Sequence, residues 1–303
     1  MTTKSVVTIG TFDGLHKGHR LLISKTVFVA KKDNLKSIVI VLKKPVRKVS
    51  GLLMTFEEKL DEIKTLGVDE IFVIEVPSEV LLCTPEEFFD NFLCGTLNVS
   101  EIICGLDFAF GKNREGDIKW LERKAKNSNV KTNIIKPLKY ASKKISSSYI
   151  RTLIEEGDVK NVEKLLGRNY SFIGMPFREK GIGKKLGFPT VNLLVDSDKI
   201  LPKGVFLSLI SQGERIYPSV TNIGARVTFN RGNGIVPETH ILDFKGVWKK
   251  SQTKVVILKK IRPEKKFANV ECLKVQLSKD ALTALRFFSK KKISERYCSC
   301  RRG

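Results

Sequence analysis

Short apolar runs alternate with segments of helical spacing through the first half of the chain. Each run has strand length and is followed by turn residues or by a helical pattern. Such alternation favours a parallel sheet with helices on both faces, in which ligands bind beyond the carboxyl ends of the strands. The predicted strands are 6–9, 37–42, 70–74, 101–104 and 131–135.

Capping boxes mark two helix starts in this half. The strings TFEE at 55–58 and TPEE at 84–87 each place a threonine three residues before a glutamate. The two side chains can then satisfy unpaired backbone N–H groups at the helix end. The second string has Pro at the first helical position, where its missing N–H costs nothing. We therefore predict helices that begin after Thr55 and Thr84.

The pattern changes after Gly167 to strands and long loops. This favours an antiparallel barrel. A final helix is predicted over 278–290, with Ser278 or Asp280 near its start, and the basic tail from Lys291 is expected to fray. A length of 303 residues suffices for two cores, so we predict domains at 1–166 and 167–303. The predicted strands are 204–210, 216–220, 239–244 and 254–261, with a glycine-rich segment at 232–234.

The net charge is +23, and residues 167–303 carry most of it, with 28 basic and 10 acidic side chains. A basic surface binds the phosphate backbone of nucleic acids without any sequence motif. The basic residues are scattered as pairs and triplets without a recognisable nucleic-acid-binding module. We interpret most of them as a solvated face and expect no specific nucleic-acid partner.

The chain is expected to work in the cytoplasm, without a membrane partner. Its apolar runs are too short to span a bilayer. The first predicted strand begins near residue five, which leaves no room for a cleavable signal. The six cysteines form no pair of Cys-x-x-Cys motifs, and in this compartment they are expected to be reduced thiols.

The most specific chemical signal is the string GTFDGLHKGH at 10–19, directly after the first predicted strand. Its glycines permit a tight turn, and the next residues have helical spacing. His16 and His19 would share one face of the helix start, where unpaired N–H groups and the helix dipole attract phosphate. We predict attack on a nucleotide phosphate. Solvated loop histidines are the plainer interpretation, and zinc is disfavoured because further Cys and His partners are lacking.

The string GLDFAFG at 105–111 also follows a predicted strand. It offers Asp107, Phe108 and Phe110 at a place where a base or a flavin ring could lie. By itself the string is only a strand-to-loop transition.

The string ISSSYIR at 145–151 places Ser147 and Ser148 at a predicted helix cap. Capping alone would explain the serines. The neighbouring lysines and Arg151 form a cationic arm that suits the β- and γ-phosphates of ATP.

In the second half, the string GIGKKLGFPTVN at 181–192 joins a glycine-rich loop to two neutral oxygen donors, Thr190 and Asn192. Strand alternation would point both side chains to one face, which suits Mg²⁺ held by few protein oxygens together with ATP phosphates. An isolated Gly-x-Gly could equally be a turn, and no Walker A motif is present. Glu238 is a candidate base for a hydroxyl acceptor in phosphoryl transfer.

Taken in order, these strings resemble the prokaryotic bifunctional riboflavin kinase and FAD synthetase family over nearly the whole chain. The LGFPTVN and ETH strings, in this order, are highly specific for a flavokinase barrel. The resemblance implies an α/β Rossmann-like nucleotidyltransferase domain, followed by an antiparallel six-stranded β-barrel with a C-terminal helix. The matching strings are GTFDGLHKGH (10–19), GLDFAFG (105–111), ISSSYIR (145–151), LLGRNY (165–170), GKKLGFPTVN (183–192), NIGARVTF (222–229), ETHILDF (238–244) and IRPEKKF (261–267).

The resemblance also implies two ATP-dependent steps, which convert riboflavin to FMN with release of ADP, and FMN to FAD with release of pyrophosphate. In the kinase, Glu238 would deprotonate the terminal ribityl hydroxyl, while Thr190 and Asn192 would hold magnesium with ATP. In the synthetase, His16 and His19 would stabilise the transition state, and Ser147 and Arg151 the departing pyrophosphate. The other implied contacts are with ATP or its phosphates at Gly10, Phe12, Asp13, Gly14, Gly18, Ser148, Gly181, Gly183, Lys184 and Gly187, and with flavin or substrate at Asp107, Phe108 and Phe110.

Three positions depart from the family's usual residues. Lys44 stands where His is usual after the second strand, Lys184 where Arg is usual, and Val227 where Pro is usual. Lysine keeps a cation near phosphate but lacks the bidentate reach of arginine. Two alternatives therefore stay open: a riboflavin kinase whose adenylyltransferase module is weakened or altered, and a basic nucleic-acid-associated protein that keeps the enzyme strings as scaffold.

Overall fold

The computed structural model describes residues 3–46, 48–76, 78–177, 187–225 and 235–290. The chain divides into two compact units. One holds residues 1–150 and 165–167, and the other holds 151–164 and 168–303. The segment 151–164 thus groups with the second unit, and the sequence-based boundary after residue 166 stays a prediction.

A parallel five-stranded sheet forms the centre of the first unit, in the order β3-β2-β1-β4-β5. All five predicted strands are confirmed, each extended by at most two residues at an end. In the central strand β1, residues 5–9 are buried and Gly10 is half-buried, because strands in the middle of such a sheet are covered on both faces. The strands are β1 Ser5–Gly10, β2 Lys36–Leu42, β3 Glu70–Ile74, β4 Val99–Gly105 and β5 Lys131–Ile135.

Both predicted capping boxes are confirmed. The hydroxyls of Thr55 and Thr84 each accept the N–H of a glutamate three residues on, and that carboxylate accepts the threonine N–H. Beyond Thr84 the α-helix lasts one turn and continues as a π-helix over Phe88–Thr96, which the sequence did not predict. The helices are α1 Lys17–Lys32, α2 Phe56–Lys64, α3 Glu79–Leu82, α4 Pro85–Glu87, a 3-10 turn at Lys112–Arg114 and α5 Ile118–Asn127.

A short antiparallel pair and two helices follow the sheet along the chain. They are β6 Lys139–Tyr140, β7 Lys143–Lys144, α6 Ser147–Glu156 and α7 Val159–Leu166.

Six antiparallel strands close into a barrel in the second unit, in the order β10-β11-β12-β9-β8-β13. This confirms the predicted antiparallel barrel. Its interior holds odd-numbered side chains of β9, β11 and β12, such as Leu193, Ile223 and Ile241, so the even-numbered side chains of these strands point outward. The elements are β8 Ser171–Phe177, β9 Thr190–Val195, β10 Gly204–Gln212, β11 Arg215–Ala225, β12 Ile235–Ile241, β13 Thr253–Arg262 and α8 Val270–Lys290.

The predicted start of the final helix is wrong. The helix α8 begins at Val270, and the Oδ1 of Asn269 accepts the N–H of Cys272 at 2.9 Å as its cap. Ser278 lies inside the helix and donates its hydroxyl to the carbonyl of Lys274. Asp280 also lies inside the helix. Its carboxylate does not cap the helix but forms an ion pair with Arg262 at 2.8 Å.

The predicted bounds of one barrel strand are also wrong. The strand β12 covers Ile235–Ile241 instead of 239–244. It starts earlier because residues 235–241 pair continuously with β11, and the chain turns at Asp243, which has a φ of 52°. The glycine-rich segment 232–234 and the tail from Lys291 lie outside the described residues.

Candidate active sites

The histidine loop, residues 10–19, joins β1 to α1 at the centre of the parallel sheet. It starts at Gly10, the last residue of β1. Because β1 pairs with β2 on one side and β4 on the other, the winding of the chain reverses there. Loops at the carboxyl ends of such strands form the ligand crevice of open α/β sheets. The loop after β4, which carries Asp107, therefore neighbours the histidine loop.

His16 caps the start of α1. Its Nδ1 accepts the N–H of His19 at 3.3 Å, so a neutral His16 ring carries its proton on Nε2. The two imidazoles stack with centroids 3.6 Å apart and 19° between their planes. A Cβ at Gly18 would lie 3.1 Å from the His16 ring, which explains the glycine between them. The two rings lie on one face of the helix start, as their spacing predicts.

His19 is uncharged at neutral pH in the free protein. Burial lowers its pKa well below the ordinary value of 6.5, and the nearby positive charges of His16 and Lys59 lower that pKa further. Its Nδ1 is buried and has no hydrogen-bond partner among the described residues. A buried polar atom without a partner calls for a ligand or another explanation. A bound anion would favour the protonated imidazole.

The turn before His16 holds an uncommon backbone conformation. Phe12 and Leu15 have φ values of 48° and 40°, in the left-handed region that bulky side chains rarely adopt. Gly14 has a φ of 81°, and a Cβ there would lie 2.6 Å from Leu53. Such conformations persist only where the surroundings impose them, and they cluster at functional sites. The edge of the Phe12 ring also packs against His19.

Asp13 shapes this turn from within. Its side chain is 3% exposed, and its Oδ1 accepts the N–H groups of Leu53 at 2.9 Å and of Met54 at 3.3 Å. Its backbone carbonyl accepts the hydroxyl of Ser147 at 2.8 Å. Two strings that are far apart in the sequence, 10–19 and 145–151, therefore meet at Asp13.

Lys59 belongs to the same place, and sequence reasoning missed it. It lies on α2, is 4% exposed, and donates to the carbonyls of Thr11 at 2.9 Å and Leu42 at 3.1 Å, at the carboxyl ends of β1 and β2. Burial lowers its pKa from 10.5 to about 8, although Asp13 opposes the shift. One sequence signal was available, because Lys59 stands one helical turn before the buried Ile63 and so shares its inward face.

The remaining basic and hydroxyl candidates for adenylyl transfer differ in exposure, and one of them, Arg151, groups with the second unit. Arg151 lies on α6, four residues after Ser147, and is buried. Residues at this spacing share a helix face. Ser148 is exposed on the same helix, and Lys44 is exposed beyond the end of β2.

The loop after β4 offers one accessible aromatic ring. Asp107 is exposed and forms an ion pair with Lys144. Phe108 and Phe110 stack at 5.3 Å, but Phe110 is buried in the core and contacts Trp120. Phe108, which is only partly buried, is therefore better placed than Phe110 to meet a flat ligand.

In the second unit, Glu238 and Asn192 lie side by side on the outer face of the barrel. Register pairs Glu238 of β12 with Asn192 of β9, and His240 with Thr190. The Oδ1 of Asn192 is buried without a hydrogen-bond partner among the described residues. The two predicted oxygen donors thus share a face, as strand alternation predicts, and one of them has an unsatisfied acceptor.

His240 holds the chain that leads into β9. Its Nδ1 lies 2.9 Å from the carbonyl of Pro189, and its ring meets the Phe188 ring edge-on. Gly187 has a φ of 85°, with nothing within 4 Å of the place where a Cβ would stand. Gly181, Gly183, Lys184 and Val227 lie outside the described residues.

The donor set at β9 fits magnesium better than a transition metal. A hydroxyl and an amide carbonyl are hard oxygen ligands, which Mg²⁺ prefers and zinc does not. Within the described parts of the chain, no group of three or more His, Cys, Asp or Glu side chains could hold a metal ion. The histidine loop accordingly offers no zinc site of that kind.

Comparisons with known proteins match both halves of the chain. The FAD synthetase family model matches residues 1–149, and the riboflavin kinase model matches residues 166–288. A bifunctional riboflavin kinase/FMN adenylyltransferase of Bacillus subtilis is 31% identical over 94% of this chain and 93% of its own length. The Escherichia coli protein of the same description is 31% identical over 93% of this chain and 92% of its own length.

A solved structure matches nearly the full length of the chain. It is described as a macrolide-efflux protein from Streptococcus pneumoniae, is 28% identical, and superposes with a TM-score of 0.84 over 94% of this chain and 95% of its own. Among the helices that the structure describes here, none is long and apolar enough to cross a bilayer.

Proposed function

The chain belongs to the bifunctional riboflavin kinase/FMN adenylyltransferase family and makes FMN and FAD, and from this premise we propose which residues perform each reaction. The first unit would carry adenylyl transfer, and the barrel would carry phosphorylation. The observation that supports this division most is a pair of buried polar atoms without hydrogen-bond partners among the described residues, His19 Nδ1 in one unit and Asn192 Oδ1 in the other. Each belongs to a residue that we assign to one of the two reactions.

For adenylyl transfer, we propose that the histidine loop receives the phosphates of ATP. The phosphate oxygen of FMN attacks the α-phosphorus of ATP, a new P–O bond forms, and the bond to pyrophosphate breaks. FMN is already an anionic nucleophile, so no general base is required. His16 and His19 would stabilise the charge that develops on the α-phosphate, and phosphate binding would favour the protonated form of His19.

Side chains of α6 would bind the leaving group, pyrophosphate. Ser147 reaches the histidine loop through its hydrogen bond to the carbonyl of Asp13. Arg151, one turn later on the same helix, groups with the second unit, and its role towards pyrophosphate stays a prediction from the sequence. An arginine binds phosphate oxygens in bidentate geometry. Lys59 would fix the carbonyls that end β1 and β2 and add positive charge under the loop. Asp13 and Gly14 would act by shaping the turn, and Phe108 and Asp107 by seating the flavin.

For phosphorylation, we propose Glu238 as the base. It would accept the proton of the terminal ribityl hydroxyl while that oxygen attacks the γ-phosphorus of ATP and ADP departs. Thr190 and Asn192 would hold a magnesium ion, which when bound supplies charge neutralisation at the phosphates. The string at 181–187, with Lys184, would cover these phosphates. His240 would fix the entry to β9 through Pro189.

We also propose that these reactions take place in the cytoplasm. The four cysteines that the structure describes, Cys83, Cys94, Cys104 and Cys272, are free thiols, as expected in a reducing compartment.

The division of labour is tested by separating the two products chromatographically. With riboflavin, MgCl₂ and ATP, Asn192→Ala and Glu238→Gln should make no FMN, yet still adenylylate FMN that is supplied directly. His19→Ala should show the reverse and accumulate FMN. Thr65→Ala, which removes an exposed hydroxyl that donates to the carbonyl of Glu62 at the end of α2, is the control and should keep both reactions. Loss of both reactions in any single site variant would contradict the assignment of separate sites.

A further inference from the structure

Asn222 on β11 is a second unsatisfied amide beside the proposed kinase base. Its Oδ1 is buried and has no hydrogen-bond partner among the described residues. Register pairs Asn222 directly with Glu238 of β12, which itself pairs with Asn192 of β9. Asn192, Glu238 and Asn222 therefore form one row across three adjacent strands.

All three side chains of this row lie on the outer face of the barrel. The inner face carries the odd-numbered neighbours, and there Thr221 and Thr239 hydrogen-bond each other at 2.9 Å in a buried hydroxyl network that also includes Ser208. Directly paired residues on one sheet face have Cβ atoms about 5 Å apart. Asn192 and Asn222 thus flank Glu238 at similar distances on opposite sides.

A buried amide oxygen without a donor destabilises the folded protein. On the inner face, the described hydroxyls of Ser208, Thr221 and Thr239 all have hydrogen-bond partners. By contrast, the buried amide oxygens of Asn192 and Asn222, on either side of the Glu238 carboxylate, have no partner among the described residues. We infer that the hydrogen-bond donors or metal ion that satisfy them are brought by the substrates. The oxygen of Asn192 has an assigned partner in the proposed function, whereas that of Asn222 has none.

We propose that Asn222 is a specificity-determining residue, whose Oδ1 accepts a hydrogen bond from a ribityl hydroxyl of riboflavin other than the one that is phosphorylated. The inference rests on the proposed role of Glu238. The reacting hydroxyl has a single proton, and that proton goes to Glu238, so it is not available to Asn222. The polyol chain presents further hydroxyls next to the reacting one, and these are donors of the required kind.

The test compares riboflavin with analogues that each lack one non-terminal ribityl hydroxyl. For the wild-type chain, removing the hydroxyl that meets Asn222 should lower kcat/KM by about 10-fold to 100-fold, because a buried acceptor is left unpaired. Asn222→Ala should lower kcat/KM for riboflavin by about 10-fold, and should lose nothing further when that hydroxyl is removed. Non-additivity of this kind is the signature of a direct contact.

Two controls accompany these measurements. Adenylylation of supplied FMN by the same samples reports the integrity of the first unit. Gln212→Ala removes an amide elsewhere on the barrel, where it donates to the carbonyl of Lys249, and should keep the wild-type preference for riboflavin over every analogue.

Asn222→Asp keeps an acceptor oxygen of the same shape and should keep the preference for riboflavin, even if the added charge beside Glu238 lowers the rate. The ratio between substrates therefore tests the proposal even when the alanine variant folds poorly. Equal losses by Asn222→Ala on riboflavin and all analogues, with a raised magnesium requirement, would overturn the proposal in favour of a contact to the metal's ligands. An unchanged kcat/KM for riboflavin would overturn it outright.

The failure of the proposed function has a different signature. If Glu238→Gln forms FMN at the wild-type rate, the site itself is misassigned, whatever Asn222 does. If Glu238→Gln is inactive and Asn222→Ala shows no substrate-dependent loss, only the inference on Asn222 fails.

Discussion

Replacing Lys59 with methionine tests how the protein maintains a buried cation beneath the histidine loop. The substitution removes the ammonium that donates to the carbonyls of Thr11 and Leu42. Each carbonyl left without a donor costs about 1–3 kcal/mol. The same substitution removes the free-energy cost of burying the Lys59 ammonium, so at pH 7 the two effects on stability offset each other. We expect the free energy of unfolding to change by less than about 2 kcal/mol at that pH.

The sign of the pH dependence follows from the direction of the pKa shift. In the folded protein the pKa of Lys59 is about 8, against 10.5 in the unfolded chain. Between these values the unfolded chain binds more protons, so stability rises with pH. Integrated from pH 7 to pH 10, the linkage amounts to about 2.5 kcal/mol in the wild-type chain and is absent in Lys59→Met. The deficit of the variant should therefore grow by that amount.

The assay is urea unfolding followed by tryptophan fluorescence. The chain has two tryptophans, so a Trp248→Phe background leaves Trp120 as the reporter of the first unit. Lys64→Met, an exposed lysine on the same helix, is the matched control and should show no growing deficit. A stability gap between wild type and Lys59→Met that stays constant from pH 7 to pH 10 would show that the pKa of Lys59 is not lowered in the folded protein.

Three further predictions concern single side chains. Gly14→Ala should abolish FAD formation and spare FMN formation, because a Cβ at this positive φ would meet Leu53 at 2.6 Å; normal FAD formation in a product assay would contradict the strained turn. Ser147→Ala should reduce FAD formation and lower the stability of the first unit by about 1 kcal/mol, the typical value of one hydrogen bond. Urea unfolding with Trp120 as reporter measures this loss. An unchanged unfolding midpoint would show that the hydrogen bond from Ser147 to Asp13 does not stabilise the unit. Asp280→Asn should destabilise the second unit by about 3 kcal/mol, because Arg262 would keep a largely buried charge without its partner. Urea unfolding followed by Trp248 fluorescence in a Trp120→Phe background measures this loss. A loss below about 1 kcal/mol would show that the ion pair is not buried.

Elements that depend on local signals were predicted well. The strands of the parallel sheet contain short apolar runs, and the capping boxes at Thr55 and Thr84 use residues three apart. The start of α8 was misplaced because Ser278 and Asp280 have the side chains of caps but serve other partners, Lys274 and Arg262. Their partners could not be read from local pattern alone.

The candidate sites show the same division. His16 and His19 are found from one short string, because their geometry is set by a single helix start. Asn222 and Lys59 were missed because their importance comes from register and burial. Asn222 stands beside Glu238 only through the pairing of β11 with β12. A lysine on an amphipathic helix is ordinarily solvated, and only the packing of α2 shows that Lys59 is not.

A complementation measurement tests the central claim that two separate sites in one chain act in sequence. Glu238→Gln and His19→Ala are incubated with riboflavin, MgCl₂ and ATP, first separately and then together, and flavins are resolved over time. Neither variant alone should make FAD from riboflavin, whereas the mixture should make FMN and then FAD. A mixture that yields no FAD, or a single variant that yields it alone, would show that the two reactions do not use separate sites.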